Sequence, residues 1–268
     1  MSKVVFITGA SSGIGKAMAL YLHEKGYRVY GTSRNPSKYK GFPFPLLVMD
    51  VTNPESVEQA ISTVCAETQQ LDVLINNAGM GITGPLEETP KEEIAKAFDT
   101  NFYGPLAVIK AVLPQMRKQK SGLVINITSI AGYMGLPYRG IYSATKAALE
   151  VAAEAYRMEI RTFGIQMTNV APGDFATNIA AGRYHAPVVE GSPYKKQYAE
   201  SLQTMNEHVD AGDDPMLMAK AIHKIIETQT PKVHYRVGSR LQKFSIILKK
   251  CLPDRMYERM LLKHYKLK

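Results

Sequence analysis

Tyr142 and Lys146 stand four residues apart in Ile141-Tyr142-Ser143-Ala144-Thr145-Lys146, with Ser129 upstream in Asn126-Ile127-Thr128-Ser129-Ile130-Ala131-Gly132. The run over 144–161 is rich in Ala, Glu, Leu and Met and holds no Gly or Pro, so it reads as a helix. Residues four apart share one helix face, which sets an ammonium beside a phenol. A free phenol titrates near pH ~10 and is a poor base at neutral pH. A cation held close favours the phenolate and lowers that value, each unit being worth ~1.4 kcal/mol. The pair is therefore a candidate general acid or base. The alternative is two ordinary surface residues, and the surrounding elements decide between them.

Those elements are apolar, β-rich runs alternating with helical patterns, the signature of a doubly wound α/β fold with helices on both faces of a parallel sheet. A strand over 4–8 enters Thr8-Gly9-Ala10-Ser11-Ser12-Gly13-Ile14-Gly15, and a helix follows that Gly26 ends. Strand, glycine-rich turn and helix N-terminus together make an anion site, because unpaired N–H groups and the helix dipole point at whatever lies above them. Gly9, Ser11, Ser12, Gly13, Ile14 and Gly15 are thus candidate dinucleotide contacts, the glycines admitting a pyrophosphate close to the backbone. Their spacing is G-x-x-x-G-x-G and not the commoner G-x-G-x-x-G.

A second strand ends at Ser33-Arg34, where an NAD site would carry an acidic residue for the ribose hydroxyls. A guanidinium beside a hydroxyl suits a 2′-phosphate, so NADP(H) is favoured over NAD(H). The other reading of Arg34 is a solvated loop residue before the Asn35-Pro36 turn. A third strand ends in Asp50-Val51, and Thr52-Asn53-Pro54-Glu55 opens a helix. Asp50 either receives an adenine amino group or caps. A fourth strand leads into Asn76-Asn77-Ala78-Gly79, where small residues let backbone lie against a cofactor and asparagine amides tie strand ends together. Asn101 interrupts a long helical stretch and marks a kink with a functional amide. Ser129 stands at the carboxyl end of a fifth strand, the rim where open α/β sheets bind ligands. A sixth strand over 165–171 ends in Pro172-Gly173.

Taken in this order, the motifs resemble those of the short-chain dehydrogenase/reductase family, and its hydroxysteroid and retinol dehydrogenase-like branch in particular. The resemblance covers about residues 3–238 and implies a Rossmann-like sheet of about seven strands, order 3-2-1-4-5-6-7, with hydride transfer between nicotinamide C4 and a carbonyl or alcohol carbon. It implies catalytic roles for Asn101, Ser129, Tyr142 and Lys146. Tyr142 would exchange the proton, Ser129 would hold the substrate oxygen, and Lys146 would lower the tyrosine pKa while holding the nicotinamide ribose. Asn101 would place a water leading from the lysine to solvent. Thr177 resembles the threonine that meets the nicotinamide carboxamide, beside Pro172 and Gly173. Ser12 stands where some NADP-binding members have a basic residue, which leaves the cofactor preference on Arg34. A homodimer or homotetramer is implied, and Ala148, Ala152 and Ala155 permit close helix packing.

Length and composition agree with one large domain over 1–238, and 45% apolar with 21% charged residues is the balance of a soluble protein. The N-terminus is too short and polar for a signal peptide, no run could span a membrane, and Cys65 and Cys251 form no disulfide or metal pattern. No metal is expected, and a reducing, cytoplasmic setting is. Nine Lys or Arg against two acidic residues put about seven of the net +9 charges into 239–268, a basic C-terminal extension. So localised a charge argues against nucleic acid and for a local partner or surface. Leu252, Met256 and Met260 recur every fourth residue and predict an amphipathic helix opening at Pro253, packed on the body or resting on an anionic membrane.

The segment over 175–210 contains Gly182, Pro187, Gly191 and Pro193 and shows no periodicity, as expected of a loop closing over a substrate. Met80, Tyr133, Met134, Leu136, Tyr138 and Tyr184 fall near the rim and favour a bulky, lipophilic, steroid- or retinoid-like small molecule with few charges. The functional expectation is an NADP(H)-dependent oxidoreductase. A cofactor-sensing protein without turnover, or an NAD-dependent epimerase or dehydratase, are the alternatives.

Overall fold

The computed structural model describes residues 2–176, 182–210 and 212–267. Seven parallel strands form its main sheet: β1 Val4–Ile7, β2 Arg28–Ser33, β3 Leu46–Val48, β4 Val73–Asn76, β5 Gly122–Ile127, β6 Ile165–Pro172 and β7 His234–Val237. Numbered this way the order is 3-2-1-4-5-6-7, as expected from the sequence. Each crossover carries at least one helix, except that only a 3₁₀ turn, Pro36–Lys38, separates β2 from β3.

The strands are apolar on both faces because both are covered. Alternate residues of β1 enter different cores. Val5 and Ile7 pack with Met18 and Leu22 of α1 (Gly13–Glu24) and with Met218 and Ile222 of α7 (Pro215–Ile226). Val4 and Phe6 pack with Val57 and Val64 of α2 (Pro54–Thr68), with Val108 and Val112 of α4 (Gly104–Gln119) and with Ala153 of α5 (Gly140–Ile160). Local signals set the helix ends. Asn53 caps α2 by accepting from Ser56 N at 3.1 Å, and Gly164 adopts φ 74°, the left-handed geometry that stops the chain after α5.

Between α3 (Lys91–Phe98) and α4 the helix widens into a π-turn, Asp99–Tyr103, centred on Asn101. The expected kink is thus a local π-bulge, a feature often found at functional sites.

The described part of 175–210 holds more regular structure than its lack of periodicity predicts. Tyr184–His185 pairs in parallel with Ile82–Thr83, and Lys195–Asp210 forms α6. Tyr198 of α6 is buried and donates its hydroxyl to Thr83 O, so long-range anchoring and not amphipathic pattern places this helix.

Beyond β7, Ser239 caps α8 (Arg240–Cys251) and α9 follows (Asp254–His264), each with basic residues in its last turn. The helix opening at Pro253 is present, but its inward stripe differs from expectation. Leu252 packs inward as expected, with Leu261 and the buried Tyr257, whereas Met256 and Met260 are exposed. Tyr257 Oη donates to Met134 Sδ at 2.7 Å, and Ile246 joins Ile130 and Ala171 in the same cluster. The Tyr257 ring, one position along the helix from Met256, buries more area than the methionine, and its hydroxyl finds a partner.

Candidate active site

A cavity of about 990 Å³ opens at the carboxyl ends of β1, β2, β4, β5 and β6. Its floor is the turn from Gly9 to Gly15, where Gly9 (φ 66°) and Gly13 (φ 54°) adopt backbone that other residues resist. A Cβ on Gly15 would lie 2.2 Å from Gly9 O and 2.4 Å from Asn77 Nδ2, so no larger residue fits there. Asn77 Nδ2 donates to Thr8 O at 2.9 Å and Gly9 O at 3.0 Å, while Asn77 N and Ala78 N both donate to Thr8 Oγ1 at 2.9 Å. These bonds join the glycine turn to the Asn-Asn-Ala-Gly turn as one surface. Ser12 precedes α1 without a side-chain cap, which leaves the first-turn N–H groups for a ligand anion. The floor therefore fits a dinucleotide pyrophosphate.

Along one wall lie Ser33, Arg34, Asp50 and Val51, and Ser11, Ser12 and Ile14 border them. Lys38 lines the same wall. It sits in the 3₁₀ turn Pro36–Lys38 and lines the same cavity as Arg34, so the cationic character there does not depend on one arginine. Sequence spacing gave no sign of this. The Asp50 carboxylate is engaged by Thr52, accepting from its N at 2.9 Å and its Oγ1 at 2.8 Å in a local turn, while the cap of α2 is Asn53.

At the other end Ser129, Tyr142 and Lys146 meet on the wall with Ala78, Gly79, Pro172 and Gly173. Ser129 Oγ accepts from Ala131 N at 3.1 Å, which fixes the oxygen and leaves its proton to donate. Lys146 is buried, and its Nζ donates to Ile127 O at 3.0 Å. An ammonium has three donors, so two remain for the cavity. Burial pushes Lys146 below the ordinary lysine range, opposed by the negative charge available on Tyr142 and on Glu150. A Cβ on Gly79 would lie 3.1 Å from Asn101 Oδ1 and 3.4 Å from Lys146 Nζ. Glycine here is what lets a flat ligand reach the lysine.

Asn101 lies behind this wall and not on it. Its Oδ1 accepts from Met80 N at 2.9 Å, and its Nδ2 donates to Met80 O at 2.9 Å and to Thr145 Oγ1 at 3.1 Å. It joins the turn after β4 to the catalytic helix. Thr177 lies outside the described residues.

The asparagines do tie strand ends together, and further than one turn. Asn76 Nδ2 donates to Asn126 Oδ1 at 3.0 Å, and Asn126 Nδ2 donates to Asn169 Oδ1 at 3.2 Å, crossing β4, β5 and β6. Asn169 Nδ2 then donates to the buried Glu150 carboxylate at 2.8 Å, which also accepts from Thr128. His234 Nδ1 lies 2.9 Å from the same carboxylate. Glu150 is one helical turn beyond Lys146, and as a bare glutamate in a helix it offered no sequence signal.

The rim residues divide. Met80 lines the cavity, whereas Tyr133, Met134 and Leu136 pack in the cluster beneath α8 and α9. Two arginines that sequence reasoning passed over, Arg139 and Arg183, line the cavity at the Tyr142 end.

This geometry can be set beside known proteins. Residues 3–187 match the short chain dehydrogenase family. The chain belongs to that family. It is accordingly an oxidoreductase that interconverts carbonyl and alcohol groups with a nicotinamide cofactor, and the expected resemblance holds. It is 42% identical over 257 residues to a 3-ketodihydrosphingosine reductase of Bacteroides thetaiotaomicron, covering 96% of this chain and 95% of that one. Human retinol dehydrogenase 8 is 31% identical over 258 residues, with 89% and 82% covered. A short-chain dehydrogenase structure from Streptomyces avermitilis superposes with a TM-score of 0.81 at 32% identity, covering 99% of this chain and 96% of that chain.

Proposed function

We propose that this dehydrogenase is an NADP(H)-dependent reductase of a ketone on a bulky, lipophilic molecule, working by proton exchange at Tyr142. The observation that carries the reading is the convergence of Tyr142, Ser129 and the buried Lys146 at one end of a cavity whose other end is the glycine turn. The cofactor supplies or accepts the hydride at nicotinamide C4. Ser129 donates to the substrate oxygen and Tyr142 gives it the proton as negative charge develops. Lys146, anchored on Ile127 O, turns its other N–H donors to the nicotinamide ribose and holds positive charge beside Tyr142. Asn101 positions this pair through Thr145 and Met80, and Thr177 is the carboxamide contact. Arg34 and Lys38 select the 2′-phosphate, and no carboxylate stands at the end of β2 to oppose it.

The relative that acts on 3-ketodihydrosphingosine supports a long-chain ketone, and retinol dehydrogenase 8 supports an elongated lipophilic substrate. Helices α8 and α9 carry Leu241, Phe244, Ile247, Met256 and Met260 exposed among lysines and arginines, which favours peripheral contact with an anionic membrane holding such a substrate. No helix among the described residues is long and apolar enough to cross a membrane. The exposed Val151 and Met158 on α5 favour a homo-oligomer, in a cytoplasmic setting. The test is a spectrophotometric screen of NADPH against NADH with long-chain, steroid, retinoid and sugar carbonyls. The reading requires turnover of a lipophilic ketone with preference for NADPH, and turnover confined to sugars or to NADH contradicts it.

A further inference from the structure

The reaction end of the cavity carries more positive charge than a wholly neutral lipid requires. Arg183, which lines the cavity, is only 8% exposed. Its Nη1 is buried and has no hydrogen-bond partner among the described residues. The guanidinium is placed by specific packing. A Cβ on Gly81 would fall 2.8 Å from Arg183 Cγ and 3.2 Å from its Nε, so the arginine lies flat against a glycine two residues past Gly79. The Arg139 guanidinium carbon lies 5.3 Å from the centre of the Tyr142 ring. Both line the cavity that holds Tyr142 and Ser129.

The Asp174 carboxylate favours the charge on Arg183 from a distance, and Arg139 is hydrogen-bonded to Tyr265, which brings no charge. Neither takes part in an ion pair among the described residues. Asp174 is the nearby carboxylate on the wall, and its Oδ2 already accepts from Gln242 Nε2 at 2.8 Å. Burial and the charge of Arg139 both work against the charge on Arg183, which stays cationic because a guanidinium does not deprotonate in proteins. A buried cation with a free donor is costly unless something pairs with it. A planar fork beside a second guanidinium suits an oxyanion bound by two or more hydrogen bonds.

We propose that Arg183 and Arg139 form a headgroup site for an oxyanion, a carboxylate, sulfonate or phosphate, on the amphiphilic ketone that this enzyme reduces. The inference rests on the reductase reading and refines it, since the lipophilic part of the substrate then ends in an anion held beside the reacting carbon. It also separates this chain from an enzyme for an amine-bearing ketone, which two guanidiniums repel. The same anion chemistry is present in the cofactor pyrophosphate, so the test must tell the two sources apart.

Protein saturated with NADP⁺ is titrated calorimetrically with octane-1-sulfonate, with methyl octyl sulfone as its neutral isostere, and with octyltrimethylammonium. The sulfonate binds roughly 10- to 100-fold more tightly than the sulfone, as a charge-assisted pair requires, and the ammonium binds more weakly than either. Arg183→Leu removes that preference, Arg183→Lys keeps part of it, and NADP⁺ affinity stays unchanged in both. Should Arg183→Leu fail to fold, as judged by thermal melting, Arg139→Gln is read in the same way. Equal affinity for sulfonate and sulfone, or tighter binding of the ammonium, overturns the proposal. So does a tenfold loss of NADP⁺ affinity in Arg183→Leu, which assigns the guanidinium to the pyrophosphate. Turnover of a neutral long-chain ketone by the wild type tests the reductase reading separately, because the titration needs no turnover.

Discussion

Replacing Asn101 with alanine tests whether the π-turn is a positioning device. The side chain is fully buried and makes three hydrogen bonds, two to Met80 and one to Thr145. At ~1 kcal/mol net for each, their loss costs about 3 kcal/mol. An unfolding entropy of ~2.1 cal/mol/K per residue converts this, over 268 residues, to a fall in melting temperature of about 5 °C. Thr145→Val, which removes the Asn101 bond and the 2.8 Å donation to Tyr142 O, gives a smaller fall and sets the scale. Differential scanning fluorimetry of the cofactor-free protein reads both. An Asn101→Ala protein that melts within about 1 °C of wild type refutes the reasoning, since three buried groups would then have lost their partner at no cost.

Two further outcomes follow from the cavity walls. Arg34→Ala raises KM for NADPH by roughly 10- to 100-fold, the loss of a charge-assisted bond to a phosphate, and leaves KM for NADH nearly unchanged. Equal effects on the two cofactors in steady-state kinetics contradict the 2′-phosphate assignment. For Lys146, burial holds the folded-state pKa below the unfolded value. The folded protein therefore binds fewer protons than the unfolded chain between those two values, and stability rises with pH across that window. Lys146→Met thus melts higher than wild type at neutral pH while losing turnover, and the advantage fades as pH rises towards the ordinary lysine range. A variant that melts lower at neutral pH shows that the hydrogen bond to Ile127 O outweighs the burial cost.

What the sequence made legible was whatever depends on local backbone chemistry. The turn from Gly9 to Gly15, the Asn53 cap, the stop at Gly164 and the seven strands follow from residue type and period. Asn101 stood out because an amide sits poorly in a helix. Features made by distant partners were not legible. Lys38 reaches the cavity that Arg34 lines from a 3₁₀ turn, and Glu150 acquires its role from three asparagines on three strands. α6 is anchored by Tyr198 on Thr83, far off in the chain. On α9, Met256 and Met260 made the clearer apolar pattern, yet Tyr257 was the residue whose hydroxyl and ring the body could satisfy. Arg139 and Arg183 were not legible for a related reason, because they lie on separate segments that meet only in the folded cavity.

The account turns on proton exchange at Tyr142, and removing one oxygen atom addresses it most directly. In Tyr142→Phe, oxidation of NADPH by a ketone that the wild type reduces is followed by the loss of cofactor absorbance, with NADPH binding measured in parallel by fluorescence. The predicted result is a fall in kcat of at least about 100-fold with cofactor affinity intact. Turnover within a few-fold of wild type would contradict the central claim.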